Sequence, residues 1–165
     1  MRIGWTRTDR FRRALLAAAL LAGIAAVPGQ VRAEDKIPQT DPENTVYMDI
    51  LYGRVVIELR PDLAPKHVER VKRLAKEGFY NNLIWHRVIA NFMAQSGDPT
   101  GTGTGGSKYG NLPAEFSQEE FKRGSVGAAR TGDNFNSANS QFFICFGPGC
   151  KHLTGSYTLW GEVIE

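Results

Sequence analysis

Residues 85–98 read WHRVIANFMAQSGD. Trp85, Arg87 and Ile89 alternate with His86, Val88 and Ala90, the two-residue period of a strand with unlike faces. One permanent cation, Arg87, stands among β-branched and aromatic neighbours. Phe92, Met93 and Gln95 follow before Gly97-Asp98 breaks the run. Together these residue types make a small binding surface: an apolar patch, an amide and a fixed positive charge. An arginine in such a strand more often serves as an ion-pair partner, and Phe92 and Met93 more often as core, so the flanking chain must decide.

Upstream, residues 45–51 and 54–60 read as two strands around Tyr52-Gly53. Val55, Ile57 and Leu59 face one way, a hairpin with one buried face. Pro61-Asp62 ends it. Pro65 suits the first turn of a helix, and Val68, Val71, Leu74 and Ala75 follow at helical spacing. Lys72, Arg73 and Lys76 load its last turns and Gly78 is placed to close it. His67 on this helix reads as a surface residue.

Downstream, Gly101, Gly103 and Gly106 satisfy G-x-G-x-x-G. The dinucleotide fingerprint needs a helix to start there, with its N-terminus on the pyrophosphate. SKYGNLP follows instead, and Gly110 and Pro113 forbid that helix. The segment reads as a long mobile or rim-forming loop. Residues 116–121 suggest one helical turn closed by Gly124. Residues 125–130 (SVGAAR) read as a strand of small side chains, suited to close approach by another chain. A polar loop follows, and residues 140–146 and 157–164 read as two more strands. Short strands, turn signals and one good helix favour an antiparallel barrel or sandwich.

The 165 residues suit one domain, and their charge is unevenly placed. Residues 1–33 carry six of the twenty Lys and Arg but one acid, leaving fourteen basic and sixteen acidic residues beyond them. The basicity belongs to a leader, which argues against a nucleic-acid partner. Arginines reach Arg13, an apolar run spans residues 14–27, and Val31-Arg32-Ala33 offers a small-x-small cleavage site: the layout of a secretory signal peptide. Fourteen apolar residues fall short of the roughly 20 that span a bilayer. We therefore expect export, to the periplasm in a Gram-negative cell, no membrane association after cleavage, a linker at 34–44 and a domain at 45–165.

An oxidising compartment permits a disulfide between Cys145 and Cys150, with free thiols an equal alternative on sequence grounds. His152 nearby adds no second ligand pair, so no metal is expected. No serine has a nucleophile context and three histidines are too scattered to argue a triad. His86 reads as a structural hydrogen-bonding residue.

WHRVIANFMAQSGDPTGTGTGG, GAAR, SQFFICF and HLTGSYTLWGEV, in this order and spacing, resemble the cyclophilin-type peptidyl-prolyl cis-trans isomerases over residues 45–164. The resemblance implies a mainly β fold, a closed eight-stranded antiparallel barrel capped by two helices. Relatives continue some twenty residues further with a helix and a closing strand, so the resemblance also implies an apparent truncation at the C-terminus. It assigns catalysis to Arg87, the proline pocket to Phe92, Met93, Phe143 and Leu153, and polar contacts to Gln95 and the backbone near Ala129 and Arg130. Tyr157 stands where many relatives have histidine, and His152 where many have tryptophan or phenylalanine. The latter position bears on the macrocycle cyclosporin, whose binding is left open. Asn91 replaces a frequent glycine, which its tolerance of positive φ allows.

The implied chemistry suits these residue types and requires no cofactor. An X-Pro bond rotates over a barrier of about 18–20 kcal/mol because twisting breaks amide resonance. Turnover near ~10 per second corresponds to roughly 16 kcal/mol, so about 4 kcal/mol must be supplied. The expected partners are Pro-containing polypeptides. The rival reading is a cyclophilin-fold binding or chaperone module without turnover, against which Arg87 with Gln95 argues for an enzyme.

Overall fold

The computed structural model describes residues 2–4 and 41–165. The apolar run and cleavage site expected of the leader, and the first part of the 34–44 linker, lie outside the described residues. Residues Pro42–Asn44 form a 3-10 turn, capped by Asp41 and tied to the domain by Lys72 Nζ, which donates to Asn44 Oδ1 at 2.8 Å.

The chain builds one antiparallel sheet. Its strands are β1 (Arg2–Gly4), β2 (Thr45–Ile50), β3 (Gly53–Leu59), β4 (Arg87–Ile89), β5 (Met93–Ser96), β6 (Ser125–Ala128), β7 (Phe142–Cys145) and β8 (Leu159–Val163). Their spatial order is β1-β2-β3-β8-β6-β7-β5-β4. Seven of these strands belong to residues 45–163, and the eighth is the three-residue β1, Arg2–Gly4. The expected closed barrel is corrected to an open, curled sheet. β4 pairs only with β5, and the far edge of β2 is taken by β1, so the two ends do not meet among the described residues. An apolar hollow of about 400 Å³, lined by Met48, Ile50, Val55, Trp85, Val88 and Ile144 among others, stands open between them.

Strand alternation explains the apolar runs. Phe142 and Ile144 enter the main core, while Phe143 and Cys145 point the other way into a second cluster. Val126 and Trp160 likewise join the first, and Met93 and Leu159 the second. Strands buried on both faces read as unbroken hydrophobic stretches rather than as alternation. Phe142 anchors the main core through edge-to-face contacts with Tyr80, Trp85 and Trp160 at 5.7, 5.8 and 5.9 Å. The β2–β3 hairpin buries more than one face, since Val56 is as buried as Ile57 and Leu59.

The helix α1 spans Pro65–Lys76, and Val68, Val71, Leu74 and Ala75 bury its stripe. Its C-terminus closes as the sequence suggests. Gly78 takes φ 70°, its N–H donates to Ala75 O at 3.1 Å, and Phe79 N–H donates to Leu74 O at 3.0 Å, the paired bonds of a Schellman motif. The second helical element is a 3-10 helix, Pro148–Leu153. His67 is not a surface residue. It lies one position before Val68 on the buried stripe, is 3% exposed, and its Nδ1 meets Glu115 Oε2 at 2.6 Å. Residues 116–121 form no helical turn; Phe121 instead packs into the second cluster.

Candidate active site

The candidate site is built on a row across the sheet. Strand register places Arg87 opposite Gln95, Gln95 opposite Phe143, Phe143 opposite Gly127 and Gly127 opposite Leu159. One face of this row is therefore set by backbone pairing alone: a guanidinium, an amide, a phenyl ring and a glycine in sequence. Gly127 belongs there because a Cβ would lie 2.5 Å from Phe143 Cζ and 2.7 Å from Phe121 Cε1. The absence of a side chain lets Phe143 stack on Phe121 at 5.7 Å. The strand of small residues thus serves close approach, by aromatic rings.

Above this row lies a cleft of about 480 Å³, whose lining includes Arg87, Phe92, Met93, Gln95, Ala129, Arg130, Phe143, Leu153 and Tyr157. Met93, Phe143 and Leu153 are buried beneath it and belong to the second core cluster. The cleft floor is thus a rigid part of the core. Phe92 reaches it from the β4–β5 turn, where Asn91 adopts φ 58°. His152 is exposed and outside the lining; its ring stacks on Phe92 at 5.5 Å. Tyr157 packs edge-on against Phe143 at 5.8 Å.

Arg130 spends its guanidinium on the protein itself. It donates to Ser156 O and Thr131 O and lies between the rings of Phe135 and Tyr157, 4.6 and 4.3 Å from their centroids. The Ala129 N–H donates to Gln141 O at 2.9 Å. Arg87 differs. It is exposed, makes no ion pair among the described residues, and its Nη1 donates to Gln95 Oε1 at 3.3 Å. A cation held by an amide rather than a carboxylate keeps its charge available to the cleft.

Two features of the site, Gln141 and His86, went unread in the sequence. Gln141 accepts from Gln95 Nε2 at 2.8 Å; it stands two residues before Phe143, and that spacing on one strand was the available signal. Thr102 and Gly103 form the far rim, so the glycine-rich segment borders the cleft as the rim-forming loop read from the sequence. His86 also lines it, with neither buried ring nitrogen hydrogen-bonded among the described residues, which corrects its reading as a hydrogen-bonding residue. Cys145 and Cys150 form a disulfide, with Cα atoms 6.1 Å apart, which decides between the two sequence alternatives and occupies both sulfurs.

Residues 45–165 match the family model described as cyclophilin type peptidyl-prolyl cis-trans isomerase. This chain belongs to the cyclophilin family. Its membership makes it a peptidyl-prolyl cis-trans isomerase. Cyclophilin relatives include a probable peptidyl-prolyl cis-trans isomerase of Brucella suis, 50% identical and covering 88% of this chain and 79% of that one. A peptidyl-prolyl cis-trans isomerase of Helicobacter pylori is 43% identical, covering 67% of each. Among solved structures, a Cryptosporidium parvum cyclophilin superposes with TM-score 0.70 at 35% identity, over 74% of this chain and 78% of that one. The same protein was also solved in the presence of the dipeptide Ala-Pro.

Proposed function

We propose that this cyclophilin accelerates rotation about X-Pro bonds in exported polypeptides, with Arg87 donating to the prolyl nitrogen of the twisted amide. The observation that carries the assignment is Arg87 unpaired by any carboxylate among the described residues, at the edge of a buried apolar floor. In the planar amide the nitrogen lone pair is delocalised and accepts hydrogen bonds poorly. As the bond twists the lone pair localises, and a fixed cationic donor binds the twisted state better than either planar form. A guanidinium remains protonated at any ordinary pH. Met93, Phe143 and Leu153 grip the prolyl ring while the acyl side turns, and Gln95 with the backbone near Ala129 holds the flanking peptide. No bond breaks, so the chain needs only to bind and orient. The Ala-Pro dipeptide used with the Cryptosporidium relative is consistent with this ligand class.

The test is exchange NMR on a short Ala-Pro peptide. Losing one charge-assisted donor should cost about 2–3 kcal/mol in the transition state, so Arg87→Ala should slow turnover roughly 30- to 150-fold. Peptide affinity should change only a few-fold, because the apolar floor stays. Wild-type exchange equal to buffer would remove the catalytic reading, and an Arg87→Ala rate equal to wild type would remove Arg87 from it.

Export rests on the leader pattern in residues 1–33. Protein recovered from the cell envelope should begin at Glu34 by N-terminal sequencing. Cytosolic protein that retains Met1 would overturn export.

A further inference from the structure

We propose that Asp98 is a positioning residue for Arg87, acting through the glycine-rich rim and a relay of two glutamine amides; this rests on the reading of Arg87 given above. Asp98 is 1% exposed, and its carboxylate organises the loop that follows it. Oδ1 accepts from Thr100 N–H at 2.7 Å and from the Thr100 hydroxyl at 2.8 Å. Oδ2 accepts from Gly103 N–H at 2.6 Å, Gly105 N–H at 3.1 Å and the Thr102 hydroxyl at 3.5 Å. Burial alone would oppose ionisation, but these bonds, led by Thr100, hold the carboxyl far below the usual aspartate range. The carboxylate is therefore a permanent anion around which the chain folds.

The glycines are there to allow this wrapping. A Cβ on Gly105 would sit 2.1 Å from Asp98 Oδ1. Gly101 and Gly103 adopt φ 69° and 90°, and Gly97, at 93°, would place a Cβ 2.3 Å from Ser140 O. These are left-handed conformations that side chains disfavour. The pattern that imitates a nucleotide-binding loop is thus a cage for an internal carboxylate.

The cage turns its carbonyls toward the cleft. Gln141 Nε2 donates to Gly103 O at 3.0 Å and to Gly105 O at 2.8 Å. With both donors engaged, Gln141 Oε1 can face only one way, and it accepts from Gln95 Nε2 at 2.8 Å. That bond in turn fixes Gln95 Oε1 toward Arg87 Nη1. An amide has two ends, and an unanchored glutamine could present its NH2 to Arg87 and repel it. Asp98 anchors the polarity of the relay: it aligns Gly103 and Gly105, their carbonyls orient Gln141, Gln141 orients Gln95, and Gln95 presents an acceptor to the guanidinium. Gly103 also borders the cleft, so the same cage shapes the rim.

The test compares Asp98→Asn, Gln141→Ala and the double variant, with Arg87→Ala as reference. Asp98→Asn puts an amide against the Gly103 and Gly105 donors or the Thr100 donors, so the cage must rearrange. Isomerisation of the Ala-Pro peptide should fall about tenfold for either single variant, as a loss of turnover at near-constant peptide affinity, because misplacement of a positioned group acts on the transition state. The double variant should lose little more than Gln141→Ala alone, since both act through one path. The Arg87 Nε–H resonance in 15N-labelled protein, identified by its absence in Arg87→Ala, should shift in both single variants although neither residue touches Arg87. Multiplicative losses in the double variant, or an unmoved Arg87 resonance, would overturn the relay. If Asp98→Asn does not fold, as judged by its melt, Gln141→Ala alone decides by the same resonance. A wild-type rate in Arg87→Ala would instead remove the catalytic reading and leave the resonance test of the relay standing.

Discussion

Reducing the Cys145–Cys150 disulfide should cost the protein both stability and the shape of its cleft. The bridge closes a loop of sequence separation 5, from the end of β7 into the 3-10 helix Pro148–Leu153. Chain-entropy arguments assign so small a loop about 2 kcal/mol of stabilisation. For a domain of this size about 1 kcal/mol corresponds to roughly 4 °C, so the melt should drop by about 8 °C on reduction. The functional consequence follows from where the loop sits. Cys145 pairs with Met93 across the sheet, and Cys150 is fully buried in the cluster that forms the cleft floor. The helix the bridge ties down carries Leu153 into the cleft and His152 onto Phe92. Its Gly149 runs so close to the β4–β5 turn that a Cβ would lie 2.8 Å from Asn91 O. Freed of the bridge, this helix should move away from Phe92 and loosen the grip on the prolyl ring. The assay is a thermal melt and an Ala-Pro exchange rate, with and without a phosphine reductant, thiol titration confirming reduction. We expect the lower melt together with a several-fold weaker peptide affinity. A reduced protein that melts within about 1 °C of the oxidised one, at full affinity, would show that packing on Asn91 and Phe92 holds the helix unaided and would refute this reasoning.

Two further outcomes follow from buried groups. Burial lowers the pKa of His67 from 6.5 against the opposing pull of Glu115, and burial of Glu115 is outweighed by bonds from the His67 ring and the Lys66 and His67 N–H groups, leaving its pKa lowered as well. The pair is thus a neutral imidazole donating to a carboxylate. Because the unfolded chain binds a proton to His67 more readily, this stability is present above pH 6.5 and is lost as pH falls below it, with Glu115 adding a further loss below its ordinary 4.5. Melts between pH 8 and 5 should therefore decline more steeply for the wild type than for His67→Gln, and parallel curves would refute it. Gly127→Ala would place a methyl group in the space of the Phe143 and Phe121 rings. Overpacking of this kind costs about 1–3 kcal/mol, and it should weaken Ala-Pro peptide binding along with the melt, as NMR titration and calorimetry would register; an unchanged affinity would separate Phe143 from the cleft floor.

Much of the local structure was legible residue by residue. The period of Val68, Val71, Leu74 and Ala75, opened by Pro65 and closed by Gly78, specifies α1, because helix capping is a local matter. Tyr52-Gly53 specifies the β2–β3 hairpin for the same reason. The motifs around Arg87, Gly127, Phe143 and Leu153 carried the family, and the positions they assign, His152 aside, line one cleft. His67 was misread because its partner, Glu115, is 48 residues away and gives no local sign. Residues 116–121 were misread because the pull on Phe121 comes from Phe143 and Gly127, not from its neighbours in the chain.

What the sequence determined by itself is the set of elements and the residue types of the site, since propensity, capping and strand period act over a few residues. Tertiary structure alone decided which of those elements meet. Register across four strands aligned Arg87, Gln95, Phe143 and Gly127, and no local signal contains a register. The same folding put Phe142 and Phe143, adjacent in sequence, into two different cores. It also left the sheet open between its end strands β4 and β1, because closure depends on whether distant edges find each other. The carboxylate of Asp98 shows the distinction most clearly. In the sequence it ends a strand before a glycine-rich stretch; in the folded chain the backbone N–H groups of that stretch converge on it.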